Sequence, residues 1–291
     1  MKLVQISESG KKKYGLVVGE KFIDSKSLAE VLNTDLPEDF SEFIQSWARL
    51  ENSLQMAEKH LPYLTQGGLP LERVRILAPV IHPPKIICLG LNYATHVNES
   101  NANPPSEPIV FMKPRTTIIG PYDDIVSPSI TDQLDYEVEL AVVIGKDCRR
   151  ISENVALDYV LGYMVLNDVT ARDLQRREKQ WFRAKGLDTY APTGPWIVTK
   201  DELNIDNLQL TTKVNGDLRQ DGSTKDMIFK VNFLISWLSQ GMTLEPGDII
   251  STGTPSGVGV FMKQPTFLKE GDTVEAEVEG IGSLRNRVRF E

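Results

Sequence analysis

Asp135, Glu137 and Glu139 occupy alternate positions of Asp135-Tyr136-Glu137-Val138-Glu139-Leu140-Ala141-Val142-Val143-Ile144. A β-strand sends alternate side chains to opposite faces. Read as one strand, the segment turns Tyr136, Val138, Leu140, Val142 and Ile144 towards a core and gathers three carboxylates on the other face. Like charges that close raise each other's pKa unless something neutralises them. A hard divalent cation such as Mg²⁺ or Ca²⁺ does so through carboxylate oxygens. The competing reading is a solvated strand face, which an isolated Glu-x-Glu would favour. A further acid tips the balance. Tyr159 to Asp168 reads as a buried strand ending in Asn167-Asp168, and Thr170-Ala171-Arg172-Asp173 has the pattern of a capping box that starts a helix at Thr170. Asp168 then lies at a strand-to-helix junction, either as a ligand or as part of the cap. Arg172 and Gln175, three apart, share a helix face and suit an anionic, carbonyl-bearing substrate.

Further groups have chemical potential. His96 and Glu99 meet at i, i+3 if their segment is helical, and a carboxylate behind an imidazole makes a general base. A structural His–Glu pair is the alternative. Lys185, among aromatic and small residues, suits an enolate oxygen or a snorkelling surface position. Thr252-Gly253-Thr254-Pro255 is a turn after a strand, lacking the spacing of a phosphate loop. Thr254 and the backbone N–H groups there suit a carboxylate, and a plain turn is the alternative. His60 and His82 read as structural.

The elements that must position these residues are mostly short strands: Ile86 to Leu89, Ile109 to Met112, Leu140 to Ile144, Tyr159 to Val165, Trp196 to Val198, Leu210 to Val214, Asp248 to Ser251, Val274 to Val278 and Arg287 to Phe290. Few helices intervene, around 170–180 and Phe229 to Trp237, which predicts an α+β, β-rich domain rather than a doubly wound sheet. Before it, Tyr14 to Val18 and Lys21 to Asp24 flank a Gly-Glu turn and predict a hairpin. Apolar residues stepping by three or four from Phe40 to Leu61 predict an amphipathic helix. Residues 1–78 are accordingly expected to form a small α+β domain and residues 79–291 the main one. Asn98 to Pro108, polar and carrying three prolines, reads as a lid next to His96.

With 291 residues and a net charge of −8, the chain has the size of a globular enzyme and no basic footprint for nucleic acid or anionic lipid. No apolar run is long enough to span a bilayer, and the N-terminal stretch does not read as a signal peptide. Two cysteines, Cys88 and Cys148, read as reduced core thiols, so a cytoplasmic or otherwise reducing location is expected.

Taken in order, Gly90-Leu91-Asn92-Tyr93 with His96 and Glu99, Phe111-Met112-Lys113-Pro114, Asp135 to Leu140, Asn167 to Gln175, Lys185 to Thr189, Val214-Asn215-Gly216 and Thr252 to Pro255 resemble the fumarylacetoacetate hydrolase superfamily. Lys179-Gln180-Trp181 and Val258-Gly259-Val260-Phe261 resemble its branch around fumarylacetoacetate hydrolase domain-containing protein 2 and bacterial oxaloacetate-decarboxylating relatives. The resemblance spans roughly residues 80 to 291. It implies a mixed β-roll, a homodimer, and Mg²⁺ or Mn²⁺ bound by Glu137, Glu139 and Asp168, with Asp135 outside the ligand set. It makes His96 and Glu99 a water-activating dyad, Lys185 a catalytic cation, and Arg172, Gln175 and Thr254 contacts to a small 2-oxo dicarboxylic acid. Fumarylacetoacetate hydrolase itself has a further acidic ligand seven residues before its histidine, where this chain has Leu89, which argues against fumarylacetoacetate as substrate. The activity expected first is hydrolysis of a C–C bond in an acylpyruvate or in a substrate of the fumarylpyruvate or fumarylacetoacetate type. Oxaloacetate decarboxylation, oxaloacetate tautomerisation and 2-hydroxyhepta-2,4-diene-1,7-dioate isomerisation pass through the same enolate, and a non-catalytic binding module is the reading from another class.

Overall fold

Val138–Ile144 is buried at every position. It is flanked by antiparallel Val160–Asn167 and antiparallel Ile249–Ser251. The latter runs parallel to Ile86–Gly90, with Ser251 opposite Cys88. These pairings bring the C-terminal ends of three strands and the N-terminal end of Val138–Ile144 to one edge of the sheet, and the acids lie at that edge. The computed structural model describes residues 1–57, 61, 63 and 67–291, and no described helix is long and apolar enough to cross a membrane.

The central strand does not alternate between core and solvent. Val138, Leu140, Val142 and Ile144 pack with Leu234, Ile235 and Leu238 of the helix Val231–Gly241 and with Leu210, Ala276 and Leu284 of a second sheet. Ala141 and Val143, on the other face, pack with Phe40, Phe43, Trp47 and Leu50. A strand covered on both faces needs apolar residues throughout, which accounts for Leu140-Ala141-Val142-Val143-Ile144. The second sheet has five strands, in the order Asp217–Ser223, Gln209–Val214, Thr273–Val278, Gly282–Phe290, Ile125–Ser127. The architecture is α+β and strand-rich, as expected.

Asp135 corrects the single-strand reading. Leu134–Asp135 pairs with Thr170–Ala171 in its own two-stranded ladder, and the chain breaks register at Tyr136 and Glu137 before Val138. Tyr136 packs with Val169 and Leu174 in a separate cluster. The same ladder corrects the expected capping box. Thr170 is in a strand, and the helix Arg172–Arg177 begins after Ala171 with no side-chain cap.

The predicted hairpin is present as Lys11–Val18 against Lys21–Asp24. The predicted helix from Phe40 is two helices, Phe40–Gln45 and Trp47–Ala57, joined at Ser46. Asp39 caps the first through the N–H groups of Ser41 and Glu42. Residues 58–60, His60 included, lie outside the described residues. An additional strand, Lys2–Glu8, pairs with Ala191–Thr199 through Lys2–Val198 and Leu3–Ile197. The leading strands thereby extend the main sheet, which has twelve strands among the described residues. Glu51 adds ion pairs of 2.6 Å to Lys146 and 3.0 Å to Lys200. The boundary near residue 78 separates stretches of sequence that share one sheet and one core cluster.

Candidate active site

Glu137, Glu139 and Asp168 each offer one carboxylate oxygen within 4.8 Å of the others, and all three are buried. Backbone geometry holds them there. The Asp168 N–H donates to the Glu137 carbonyl at 2.8 Å, and the Glu137 N–H donates to Asn167 Oδ1 at 2.9 Å. Glu139 Oε2 accepts from Ser251 Oγ at 2.5 Å and the Gly253 N–H at 2.9 Å. Gly253 has φ +93°, a conformation glycine adopts without strain, so this turn places an amide against Glu139 where other residues would resist.

The surrounding cations are unevenly shared. Lys185 Nζ donates to Glu137 Oε2 at 2.8 Å, Asp168 Oδ2 at 2.7 Å and Thr170 Oγ1 at 2.8 Å. Lys113 Nζ reaches Asp168 Oδ1 at 2.5 Å. Arg172 donates through Nε to Asp135 Oδ2 at 2.8 Å and approaches Glu137 Oε1 with Nη2 at 2.6 Å. That second contact is a close ion pair without the alignment of a hydrogen bond. Burial opposes ionising Glu137, but Lys185 and Arg172 outweigh it and pull its carboxyl down to about 2. Glu139 is the reverse case. Burial, then the charges of Asp168 and Glu137, push its carboxyl well above the usual range. Its hydrogen-bond partners, Ser251 and Gly253, are both neutral. Three cations face four carboxylates, and the shortfall falls on Glu139. A donor set of three buried carboxylate oxygens short of positive charge fits a hard divalent cation. Glu137, Glu139 and Asp168 would hold it.

Asp135 has another task. Besides Arg172 it accepts from the N–H groups of Gly259 at 2.8 Å and Val260 at 3.0 Å. A Cβ at Gly259 would stand 2.1 Å from the Thr266 carbonyl and 2.7 Å from Asp135 Oδ1, so only glycine lets this loop close on the acid.

Next to the acids is a cavity of about 270 Å³, lined by His96, Glu137, Arg172, Gln175, Lys185 and Thr254 among others. His96 is on the helix Ala94–Glu99, and its Nδ1 lies 2.7 Å from Glu99 Oε1. Glu99 Oε2 accepts from the Gly257 N–H at 2.8 Å. With Nδ1 turned to a carboxylate, Nε2 is the nitrogen left to take a proton. Arg172 Nη1 donates to Gln175 Oε1 at 3.0 Å, leaving the Gln175 amide hydrogens for another acceptor. Thr254 lines the cavity, but its hydroxyl is already engaged, donating to the Val138 carbonyl at 2.8 Å and accepting from Gln220 Nε2 at 2.8 Å. All nine residues singled out in the sequence come together here, counting Glu99, Glu139 and Asp168 just behind the cavity wall. His82 does not, since it is exposed beside Arg115.

Several contributors carried no assigned role. Lys113 sat in a quoted motif, and a lysine between an apolar strand and a proline is the only signal it offered. Asn167, Ser251 and Gln220 act through tertiary contacts that no spacing encodes. Trp181 stands over Gly90, where a Cβ would lie 2.3 Å from its ring, and meets Phe111 edge-on at 5.5 Å. Together they form an aromatic wall of the cavity. Leu89 also lines it, so an apolar side chain stands where an additional acid was considered.

The sequence profile described as fumarylacetoacetate (FAA) hydrolase C-terminal matches residues 85–289. The chain belongs to the fumarylacetoacetate hydrolase family. It is 45% identical over 257 residues to human "Oxaloacetate tautomerase FAHD2A, mitochondrial", covering 87% of this chain and 80% of that protein. The solved fumarylacetoacetate hydrolase of Exiguobacterium antarcticum superposes with a TM-score of 0.83 at 37% identity, covering both chains completely. Maleylpyruvate hydrolase of Sphingobium sp. SYK-6, in complex with manganese(II) and pyruvate, gives a TM-score of 0.80 at 30% identity, over 100% of this chain and 99% of that one. Family membership supports an enzyme acting on a small organic acid. The cytoplasmic expectation is overturned, because the tautomerase relatives it matches bear mitochondrial names. Two buried free thiols argued only for a reducing setting and did not separate the two.

Proposed function

We propose that this protein is a divalent-metal-dependent oxaloacetate keto–enol tautomerase. The observation that carries the reading is one small cavity bounded by an imidazole with a free nitrogen, a buried ammonium and a buried acidic triad short of cationic charge. When bound at Glu137, Glu139 and Asp168, the cation would supply Lewis-acid stabilisation of a developing oxyanion. Arg172 and the Gln175 amide orient the substrate's carboxylate end. His96 Nε2 takes a proton from C3, the C–H pair forms the C=C bond, and the carbonyl π pair moves onto the C2 oxygen. That oxygen is protonated from solvent, and the imidazolium returns its proton to solvent. Lys185 has its three hydrogens committed to Glu137, Asp168 and Thr170, so it contributes charge rather than a new hydrogen bond. Burial is overcome by Asp168 and Glu137, which keep it protonated above the ordinary lysine range. Apolar walls such as Phe111 and Trp181 lower the local polarity, which strengthens the charged contacts to the developing oxyanion.

C–C hydrolysis of an acylpyruvate is the second reading. It is favoured by Glu99 behind His96, since a carboxylate-backed imidazole suits activation of water. The deciding experiment follows the ultraviolet decay of enol-oxaloacetate, and the cleavage of acetylpyruvate and fumarylpyruvate, with Mg²⁺ or Mn²⁺ present. Fast oxaloacetate tautomerisation with little cleavage supports the first reading. Cleavage without tautomerisation overturns it.

A further inference from the structure

The ionisable side chains lining the cavity are His96, Glu137, Arg172, Arg176 and Lys185. Four of them face an opposite charge: His96 has Glu99, Glu137 has Lys185, Arg172 has Asp135, and Lys185 has Asp168. The fifth, Arg176, has no carboxylate partner among the described residues, and its side-chain hydrogen bond goes to the neutral Gln133 Oε1. Arg172 and Arg176 are four apart on the helix Arg172–Arg177 and so share a face. Arg172 is buried against the acids, whereas Arg176 is exposed at the cavity mouth.

We infer that Arg176 reads the far carboxylate of a dicarboxylic 2-oxo acid, and so sets the preference for such acids over those ending in an uncharged group. The inference rests on reading the site as one for 2-oxo acids. A substrate held at its 2-oxo end by Arg172 and Gln175 points its other end towards the mouth. Much of the remaining lining is apolar (Leu91, Ala102, Phe111, Trp181 and Phe261), and its hydroxyls are engaged, that of Ser100 with the Val97 carbonyl and that of Thr254 with the Val138 carbonyl, so neither carries a charge to meet a second carboxylate. An unpaired guanidinium offers a two-pronged, charge-assisted contact. Its present contact, a solvent-exposed hydrogen bond to the neutral amide of the half-buried Gln133, is readily exchanged.

The test measures dissociation constants calorimetrically on the Mn²⁺-loaded protein with two ligands. These are 3,3-difluoro-oxaloacetate, which cannot enolise, and pyruvate, which ends in a methyl group. Arg176→Gln should weaken the dicarboxylate about 10- to 100-fold and leave pyruvate unchanged. Arg176→Lys should fall between. Arg177→Gln, an exposed neighbour paired with Glu178 at 3.6 Å, should alter neither. Equal dicarboxylate affinity in Arg176→Gln and the parent overturns the inference, as does a parallel loss for pyruvate. If the parent binds both ligands yet prefers pyruvate, the inference fails while the reading of the site stands. If the parent binds neither, the reading of the site fails and takes the inference with it.

Discussion

The N–H of Asp168 donates to the carbonyl of Glu137 at 2.8 Å, so two members of the acidic triad are joined through the main chain as well as through the shared Lys185. Their spacing is set by the main chain at the sheet edge. The third member, Glu139, is tied instead to Ser251 and Gly253 on a different strand end. Separate predictions follow for the two kinds of attachment.

Glu139 should give the metal-free protein a pH-dependent stability. Its folded-state pKa is raised, so its contribution is fully present below the ordinary carboxylate value and is lost as pH rises through the raised one. The melting temperature of metal-free protein should therefore fall as pH increases above the ordinary carboxylate range, and the stabilisation given by Mn²⁺ should grow over the same window. Glu139→Gln should flatten that dependence and weaken Mn²⁺ binding on the order of 100-fold or more, since losing even an outer partner of a ligand costs about 10- to 100-fold. A calorimetric melt series from pH 5 to 9, with and without Mn²⁺, checks both. An unchanged slope in the variant would rule Glu139 out as the titrating group, and an unchanged Mn²⁺ affinity would remove it from the metal assignment.

His96→Ala separates proton transfer from metal binding. Turnover should drop on the order of 100-fold or more, as expected for loss of a general base, while the rise in melting temperature produced by Mn²⁺ stays. If acylpyruvate cleavage is detected in the parent, it should fall more than oxaloacetate decarboxylation, which needs no attacking water. Full activity in the variant would make the histidine structural.

Asp135→Asn should act through Arg172. The buried Arg172 would lose its 2.8 Å carboxylate partner, and breaking a buried pair costs about 3 kcal/mol or more. The expected outcome is a lower melting temperature and a KM raised on the order of 10-fold, with Mn²⁺ affinity within a few-fold of the parent. A selective loss of metal affinity would instead place Asp135 among the ligands.

Residues 98–108 should respond to ligand. Most of the segment is solvent-exposed, while Ser100 and Ala102 line the cavity. Saturating the Mn²⁺-loaded protein with oxalate should slow amide exchange across this stretch. Identical exchange with and without oxalate would count against a closing lid.

Much of the site was legible because its chemistry is local. His96 and Glu99 are one helical turn apart, and Arg172 and Gln175 likewise, and both pairings follow from the period of the helix, whereas Glu137 stands next to Glu139 from the register break just before the strand Val138–Ile144. The strands were legible for the same reason, since buried β-segments must be apolar and turns must be punctuated. What failed was anything set by partner choice. Alternation placed Asp135 with the glutamates, but its strand pairs with Thr170–Ala171, and no property of Leu134 or Asp135 alone announces that partner. Thr170 looked like a cap because Thr and Asp stand three apart, yet its hydroxyl serves Lys185. Lys113 could not be placed beside Asp168, 55 positions away, without knowing how the strands are ordered.

The pairing of Lys2 and Leu3 with Val198 and Ile197 bears on any attempt to shorten the chain. A fragment starting at residue 79 would keep every proposed catalytic group, yet it would bare part of the Ala191–Thr199 edge and the apolar face where Trp47 and Phe43 now pack. Open strand edges recruit other chains, so such a fragment should precipitate rather than report on catalysis. On that expectation, losing the first residues should be felt at an active site they never touch, through the sheet edge they cover.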